Sequence, residues 1–244
     1  MLIALLSDIH ANREAFDACM AQARRAGAER FVFLGDLVGY GADPSYVVDQ
    51  VARCENASVI LGNHDEAVFG SAGGMNAVAR AAIEWTRSRL DRAQIDFLRA
   101  LPRTAREGDL LFVHSDASRP EDWRYVADAE SAERSLRASD AHVTFCGHTH
   151  RPQLYHRAPQ RSAMFFAPDG QMPTPLSRGR QWLAVAGSVG QPRDRNPAAA
   201  FCLYDMSRRE LSFRRAPYDV AAAAGKIVAA RLPDILSERL FLGR

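Results

Sequence analysis

The chain has 244 residues, 47% of them hydrophobic, which is enough apolar material for a substantial core. Its formal net charge is +2, which argues against a strongly basic nucleic-acid surface and gives no pull toward an anionic membrane. Lys226 is the single lysine, so a P-loop lysine is excluded, and cationic contacts to phosphate fall to Arg or a metal, with backbone N–H groups as the remaining donors.

Leu2–Ser7 reads as a first buried strand. No basic segment precedes it and Asp8 interrupts it early, so a core strand of a cytoplasmic protein is expected rather than a signal peptide, and no run approaches a membrane span. Asn12 then caps a helix with an apolar face of Ala15, Phe16, Cys19, Met20 and Ala23, closed by Gly27. Arg30–Leu34 predicts a second strand, Ser45–Cys54 a helix primed by Pro44, and Ala57–Leu61 a third strand. Helices are expected over Asn76–Leu90, Ala93–Leu101 and Ala129–Ala138, with strands at Leu110–Val113 and His142–Cys146. This rhythm predicts a mostly parallel sheet with right-handed crossovers.

The second half differs. Residues 151–181 are rich in Pro, Gly and Arg, with apolar fragments at Met164–Ala167 and Trp182–Ala186. Ala199–Asp205 and Glu210–Arg215 predict an antiparallel pair turning at Met206–Arg209, and Asp219–Leu232 a closing helix. These strands are expected to form a second sheet stacked on the first, in one domain over 1–244. Cys19, Cys54, Cys146 and Cys202 occur singly with no CxxC pair, so reduced thiols are expected.

Polar groups collect where strands end: Asp8 and His10 after the first, Gly35-Asp36 after the second, Gly62-Asn63-His64-Asp65 after the third, then His114 and Gly147-His148-Thr149-His150. Five of the seven histidines, all but His142 and His156, stand at such ends, and the carboxyl edge of an α/β sheet is where ligands bind. Asp, His and Asn suit Mn, Fe, Zn or Ni without a thiolate. A carboxylate such as Asp36 can bridge two cations, and a pair about 3.5–4 Å apart clamps the attacking and leaving oxygens of a phosphoryl displacement. Taken singly the motifs have ordinary uses: Asp8 as a helix cap, Gly35-Asp36 as a strand-end turn, Asn63-His64-Asp65 as an Asx turn.

The series DIH, GDLVGYG, GNHD, VH and GHTH, in this order, resembles the calcineurin-like metallophosphoesterase superfamily, and GSVGQPRD at 187–194 resembles its bacterial phosphodiesterase, diadenosine-tetraphosphatase-like branch. The resemblance implies an α/β fold, a four-layer α/β/β/α sandwich of two mixed sheets flanked by helices. It implies two divalent or trivalent metal ions, Mn first, with Fe, Zn, Ni or Mg as alternatives. Asp8, His10, Asp36 and His150 would hold one ion, and Asp36, Asn63, His114 and His148 the other. A metal-bridging hydroxide would be the nucleophile.

In that family the position of His64 faces the substrate phosphate, so His64 is expected to be catalytic and metal-free. Asp65 is expected to orient it through a carboxylate–imidazole hydrogen bond and keep it cationic near neutral pH. Asn63 and Arg193 are further candidates for substrate binding, although Arg193 could instead pair with Asp194. Gly39, Tyr40 and Gly41 would bring the backbone close to the metals, Trp123 and Tyr125 are read as loop packing before base stacking, and Cys146 as a core residue beneath the site. The expected activity is hydrolysis of a small-molecule phosphodiester, phosphomonoester or phosphoanhydride. Rival readings are a diadenosine-tetraphosphatase-like or protein phosphatase, a nuclease, and an inactive scaffold, the last opposed by the presence of His64 and every ligand. A homo-oligomer is compatible with the sequence, and specificity is expected in the loops 115–124 and 157–180.

Overall fold

The structure is a computed structural model describing residues 1–168 and 172–244. In chain order its elements are β1 (Leu2–Leu6), α1 (Arg13–Arg25), β2 (Arg30–Phe33), α2 (Pro44–Ala52), β3 (Ala57–Val59), α3 (Asn63–Phe69), α4 (Ala77–Arg87) and α5 (Arg92–Ala100). Then come β4 (Thr104–Glu107), β5 (Leu110–Val113), a 3-10 turn at Pro120–Asp122, α6 (Ala129–Arg137), β6 (Val143–Cys146), β7 (Gln153–Arg157), β8 (Met164–Phe166), β9 (Thr174–Pro175) and β10 (Gln181–Val185). β11 (Ala199–Asp205), β12 (Glu210–Ala216), α7 (Val220–Ala229) and α8 (Asp234–Leu242) complete the series.

The strands form two mixed sheets, β3-β2-β1-β11-β12-β9 and β4-β5-β6-β10-β7-β8. Side-chain alternation, period two along each strand, assigns residues to layers. Ala4, Leu6, Phe31, Phe33, Phe201 and Leu203 pack toward helices with Phe16, Met20, Val47 and Leu98. Their neighbours Ile3, Leu5, Val32, Cys202 and Tyr204 turn the other way, against Phe112, Val143, Phe145, Leu154 and Trp182 of the second sheet. On the far face of that sheet, Cys146, Leu183 and Val185 meet Ala132 and Leu136 of α6. The layers are therefore helix, sheet, sheet, helix, and double-sided burial explains why β1, β2, β10 and β11 read as continuous apolar runs.

Two expectations are corrected. The hairpin β11–β12 does not begin a second sheet. It joins the first, because β1 pairs with β2 on one edge only and its other edge takes β11 in antiparallel register, Leu2 opposite Asp205 and Leu5 opposite Cys202. The second sheet instead starts at β4, and its parallel core is β5, β6 and β10. The Asp219–Leu232 segment is not the closing helix, since α8 follows it, with Leu236 and Leu240 packing on Ala223, Ile227 and Tyr40. The 157–180 segment contributes β8 and β9, and its positions 169–171 lie outside the described residues. All four cysteines are free, three of them buried. No helix among the described residues is long and apolar enough to cross a membrane.

Candidate metal centre

The parallel halves of the two sheets point their carboxyl ends at one place. Asp8 follows β1, Asp36 follows β2, and Asn63 begins α3 just after β3, while His114 follows β5 and His148 and His150 follow β6. The site thus draws on the carboxyl edges of two sheets, where a single edge was expected.

Backbone bonds lace these loops together: Asp8 N–H donates to Gly35 O (3.1 Å), His10 N–H to Asp36 O (2.9 Å), Gly147 N–H to His114 O (2.9 Å) and Gly190 N–H to Asp8 O (2.9 Å). The two carboxylates tie across as well. Asp8 accepts the His148 N–H at 3.0 and 3.2 Å, and Asp36 Oδ1 accepts the His64 N–H at 2.8 Å.

Five of the seven candidate ligands hold left-handed backbone: Asp8 (φ 54), His10 (49), Asp36 (53), His148 (63) and His150 (59). Each such non-glycine residue costs about 1–2 kcal/mol, and strain of this kind persists where a site requires it. Tolerances are tight, because a Cβ added to Gly62 would overlap Asp36 N and Oδ1. Gly62→Ala is expected to destabilise by about 1–3 kcal/mol, lowering the calorimetric melting temperature by roughly 5 °C; an unchanged midpoint would refute this close approach.

Donor atoms of Asp8, His10, Asp36 and His150 lie within 4.8 Å of one another, as do those of Asp36, His114 and His148, so Asp36 is common to both groups. Asn63 Oδ1 stands 3.2 Å from His114 Nε2, alongside the second group. Hydrogen bonding fixes the tautomers. His10 Nδ1 faces Val38 O at 3.0 Å, His114 Nδ1 faces Leu34 O at 2.6 Å, and His150 Nδ1 faces Gln191 O at 2.7 Å. A carbonyl only accepts, so each Nδ1 carries a proton and donates it, leaving the Nε2 lone pair aimed inward.

His10 Nε2 and His150 Nε2 then confront each other at 3.2 Å, with Asp8 Oδ1 3.2 Å from His150 Nε2. Acceptors facing acceptors in a buried cluster are balanced by a proton or a cation between them, and hard-to-intermediate N and O donors suit a divalent cation. The donor set therefore fits the group that the motifs imply.

Electrostatics agree. Burial would raise the Asp8 and Asp36 carboxyls, yet the surrounding imidazoles, His150 at Asp8 and His114 at Asp36, hold both well below the usual carboxylate range. Burial works against charge on His114, but Asp36 and Asp8 push it up to about 9, the same carboxylate field that would favour a bound cation. Burial brings His148 down to about 3 and also lowers His10.

A cleft of about 420 Å³ opens over this cluster, lined by Asp36, Asn63, His64, His148 and His150 together with Tyr40, Met75, Trp123, Tyr125 and Arg193. His64 shares it but contributes to neither donor group. Its ring packs on Tyr40 (centroids 4.4 Å) and edge-on to His10 (4.8 Å), and its Nδ1 is buried without a hydrogen-bond partner among the described residues.

The expected Asp65–His64 hydrogen bond is absent. Asp65 is the third residue of α3, and its carboxylate turns back to accept N–H groups of Leu37 (2.8 Å), Val38 (3.2 Å) and Gly62 (3.1 Å). Without that partner, burial takes His64 down to about 4, so Asp65 does not keep it cationic. Burial and the Asp36 charge push Asp65 itself up to about 7, against the pull of the Gly62 and Val38 N–H groups.

Arg193 does not pair with Asp194, which binds Arg215. Its guanidinium donates to Gln191 Oε1 (2.9 Å) and lies 5.9 Å from the Tyr40 ring centroid. Trp123 is anchored as a packing residue, its indole N–H donating to Glu66 Oε2 at 3.0 Å, whereas Tyr125 is exposed.

The sequence motifs assign no role to Glu66, nor to Ser188, whose hydroxyl donates to Asp8 O at 2.9 Å. The signal for Ser188 and Gln191 was the GSVGQPRD segment. The carbonyls of Leu34 and Val38 had none.

The profile of the calcineurin-like phosphoesterase superfamily domain matches residues 1–209. An uncharacterised protein of Methanocaldococcus jannaschii is 34% identical over 249 residues, spanning 100% of this chain and 98% of its own. The crystal structure of a metallophosphoesterase from Sphaerobacter thermophilus superposes with TM-score 0.87 at 32% identity, covering 100% of this chain and 99% of the other. A hypothetical protein of Pyrococcus horikoshii shares the fold at TM-score 0.80 and 20% identity, with 100% and 98% covered. The chain belongs to the calcineurin-like phosphoesterase superfamily.

Proposed function

We propose that the protein is a hydrolase of phosphoester or phosphoanhydride bonds that works with two divalent cations, manganese first among them. The observation that carries this reading is Asp36, which is common to two groups of inward-facing donors at the floor of an open cleft. Two cations, when bound, supply Lewis acidity to the phosphoryl oxygens and lower the pKa of an attacking water. The chain does the rest. Asp8, His10, Asp36 and His150 are assigned to one cation, and Asp36, Asn63, His114 and His148 to the other, with Leu34, Val38 and Gln191 carbonyls fixing the rings. Arg193, steadied by Gln191, is assigned to the outer phosphate oxygens, where a guanidinium can bind two at once.

His64 is assigned to the leaving oxygen. Since Asp65 is engaged elsewhere, the incoming phosphate supplies the negative charge that favours a proton on the ring. We read residues 1–244 as one such domain, because α7 and α8 pack on Tyr40 beside the cleft. Treating the protein with a chelator should abolish hydrolysis of bis(p-nitrophenyl) phosphate, and added Mn²⁺ should restore it. Full activity in chelator with no bound transition metal would refute the proposal.

A further inference from the structure

Beyond the cation ligands and His64, the charged groups that line the cleft among the described residues are one guanidinium, Arg193, and two carboxylates, Glu66 and Asp122. Both carboxylates are already matched, Glu66 by Arg103 and Asp122 by Arg124 at 2.6 Å. A row of several phosphates would have a single guanidinium to share and two carboxylates to pass. The cleft is thus equipped for one phosphate.

The rest of its lining sets the polar Ser71 and Asn76 beside Met75, Ala79, Trp123 and Tyr125. Tyr125 stacks on His148 with ring centroids 4.2 Å apart and planes 10° from parallel, yet remains 51% exposed. One face of the phenol ring is therefore used on the imidazole and the other is left to the cleft. The loop that carries it is pinned by the Trp123 indole, which donates to Glu66 and meets His114 edge-on at 5.8 Å. A half-exposed ring, stacked on one face and open on the other beside the proposed phosphate site, is a stacking platform for a flat group.

We propose that the cleft selects an ester of a single phosphate carrying an aromatic ring, aryl or nucleobase, which stacks on Tyr125 while Arg193 holds the phosphate. This rests on the phosphoesterase reading above and gives its substrate class. Tyr125 would be the residue that sets specificity.

The test is calorimetric binding of non-hydrolysable phosphonates to the Mn²⁺-loaded protein: phenylphosphonate, propylphosphonate, the phosphonate analogue of adenosine monophosphate, and a methylene-bridged analogue of diadenosine tetraphosphate. The better aromatic ligand is expected to bind about tenfold more tightly than propylphosphonate, and whichever of the two wins identifies the ring. Tyr125→Leu should bring that ratio near one, while Tyr125→Phe should preserve it. Parallel weakening of aromatic and propyl ligands in Tyr125→Leu would overturn the proposal, showing that the ring only positions His148. A ratio near one in the unmodified protein, or tightest binding by the tetraphosphate analogue, would overturn it too. Binding requires no turnover, so the two readings fail separately: a protein that keeps the ratio yet hydrolyses no phosphoester loses only the hydrolase assignment.

Discussion

Asp36→Asn should leave the protein folded but with fewer than one bound cation per chain, and should cut phosphodiester hydrolysis by about 10³-fold, the scale of losing a preorganised electrostatic group at the reacting centre. The reason is position. Asp36 Oδ2 lies 3.7 Å from His10 Nε2 and 3.4 Å from His114 Nε2, one histidine from each donor group. Asparagine keeps the side-chain shape and can still offer Oδ1 to the His64 N–H, so the start of α3 is preserved. It removes the only negative charge common to both groups and can place an N–H₂ where both cations need an acceptor. Elemental analysis after gel filtration gives the cation content, and far-UV circular dichroism checks the fold. A variant retaining two cations and full turnover would exclude Asp36 as the shared ligand.

Much of this was legible in the chain because polar residues break apolar runs at regular points. Asp8, Asp36, His114 and His148 each follow a buried strand, and β strands with both faces covered announce themselves as unbroken Val, Ile, Leu and Phe. The expected layering needed only that alternation together with the family motifs. What escaped was set by long-range pairing. β4 reads Thr-Ala-Arg-Glu, half exposed at a sheet edge, and has no apolar pattern to betray it. β7 lies in a polar, Arg-rich stretch and is a strand because β10 supplies antiparallel partners from Gln153 to Arg157. Which sheet the β11–β12 hairpin joins depends on which edge of β1 lies open, and no local pattern carries that information.

The same limit applies inside the site. Residue types pointed to the candidate donors, since four histidines and two aspartates at strand ends have few structural uses. Their tautomers depend on carbonyls of Leu34, Val38 and Gln191, which every residue possesses and only the fold aims. For Asp65, adjacency in sequence suggests a partner in His64. Helix geometry decided otherwise: as third residue of α3, Asp65 faces back toward Gly62, which caps the helix.

That correction separates two neighbours by experiment. His64→Ala should keep both cations, because the ring belongs to neither donor group, and should lower kcat by about 10²–10³-fold, the range for losing a proton donor at a leaving group. Asp65→Asn should act on stability. At pH 8, where the Asp65 carboxyl is ionised, its Oδ1 takes the Leu37 and Val38 N–H groups and its Oδ2 the Gly62 N–H. Asparagine can serve one side, but its N–H₂ then meets the other side donor to donor, and an unmatched buried donor costs about 1–3 kcal/mol. Urea unfolding should show that loss, while turnover per folded molecule stays within a few-fold of the unmodified enzyme. His64→Ala should show the reverse, with small loss of stability and large loss of rate. If Asp65→Asn instead unfolded at the same urea concentration and lost kcat in parallel with His64→Ala, the two residues would be acting as a catalytic pair, and the capping role assigned to Asp65 would be wrong.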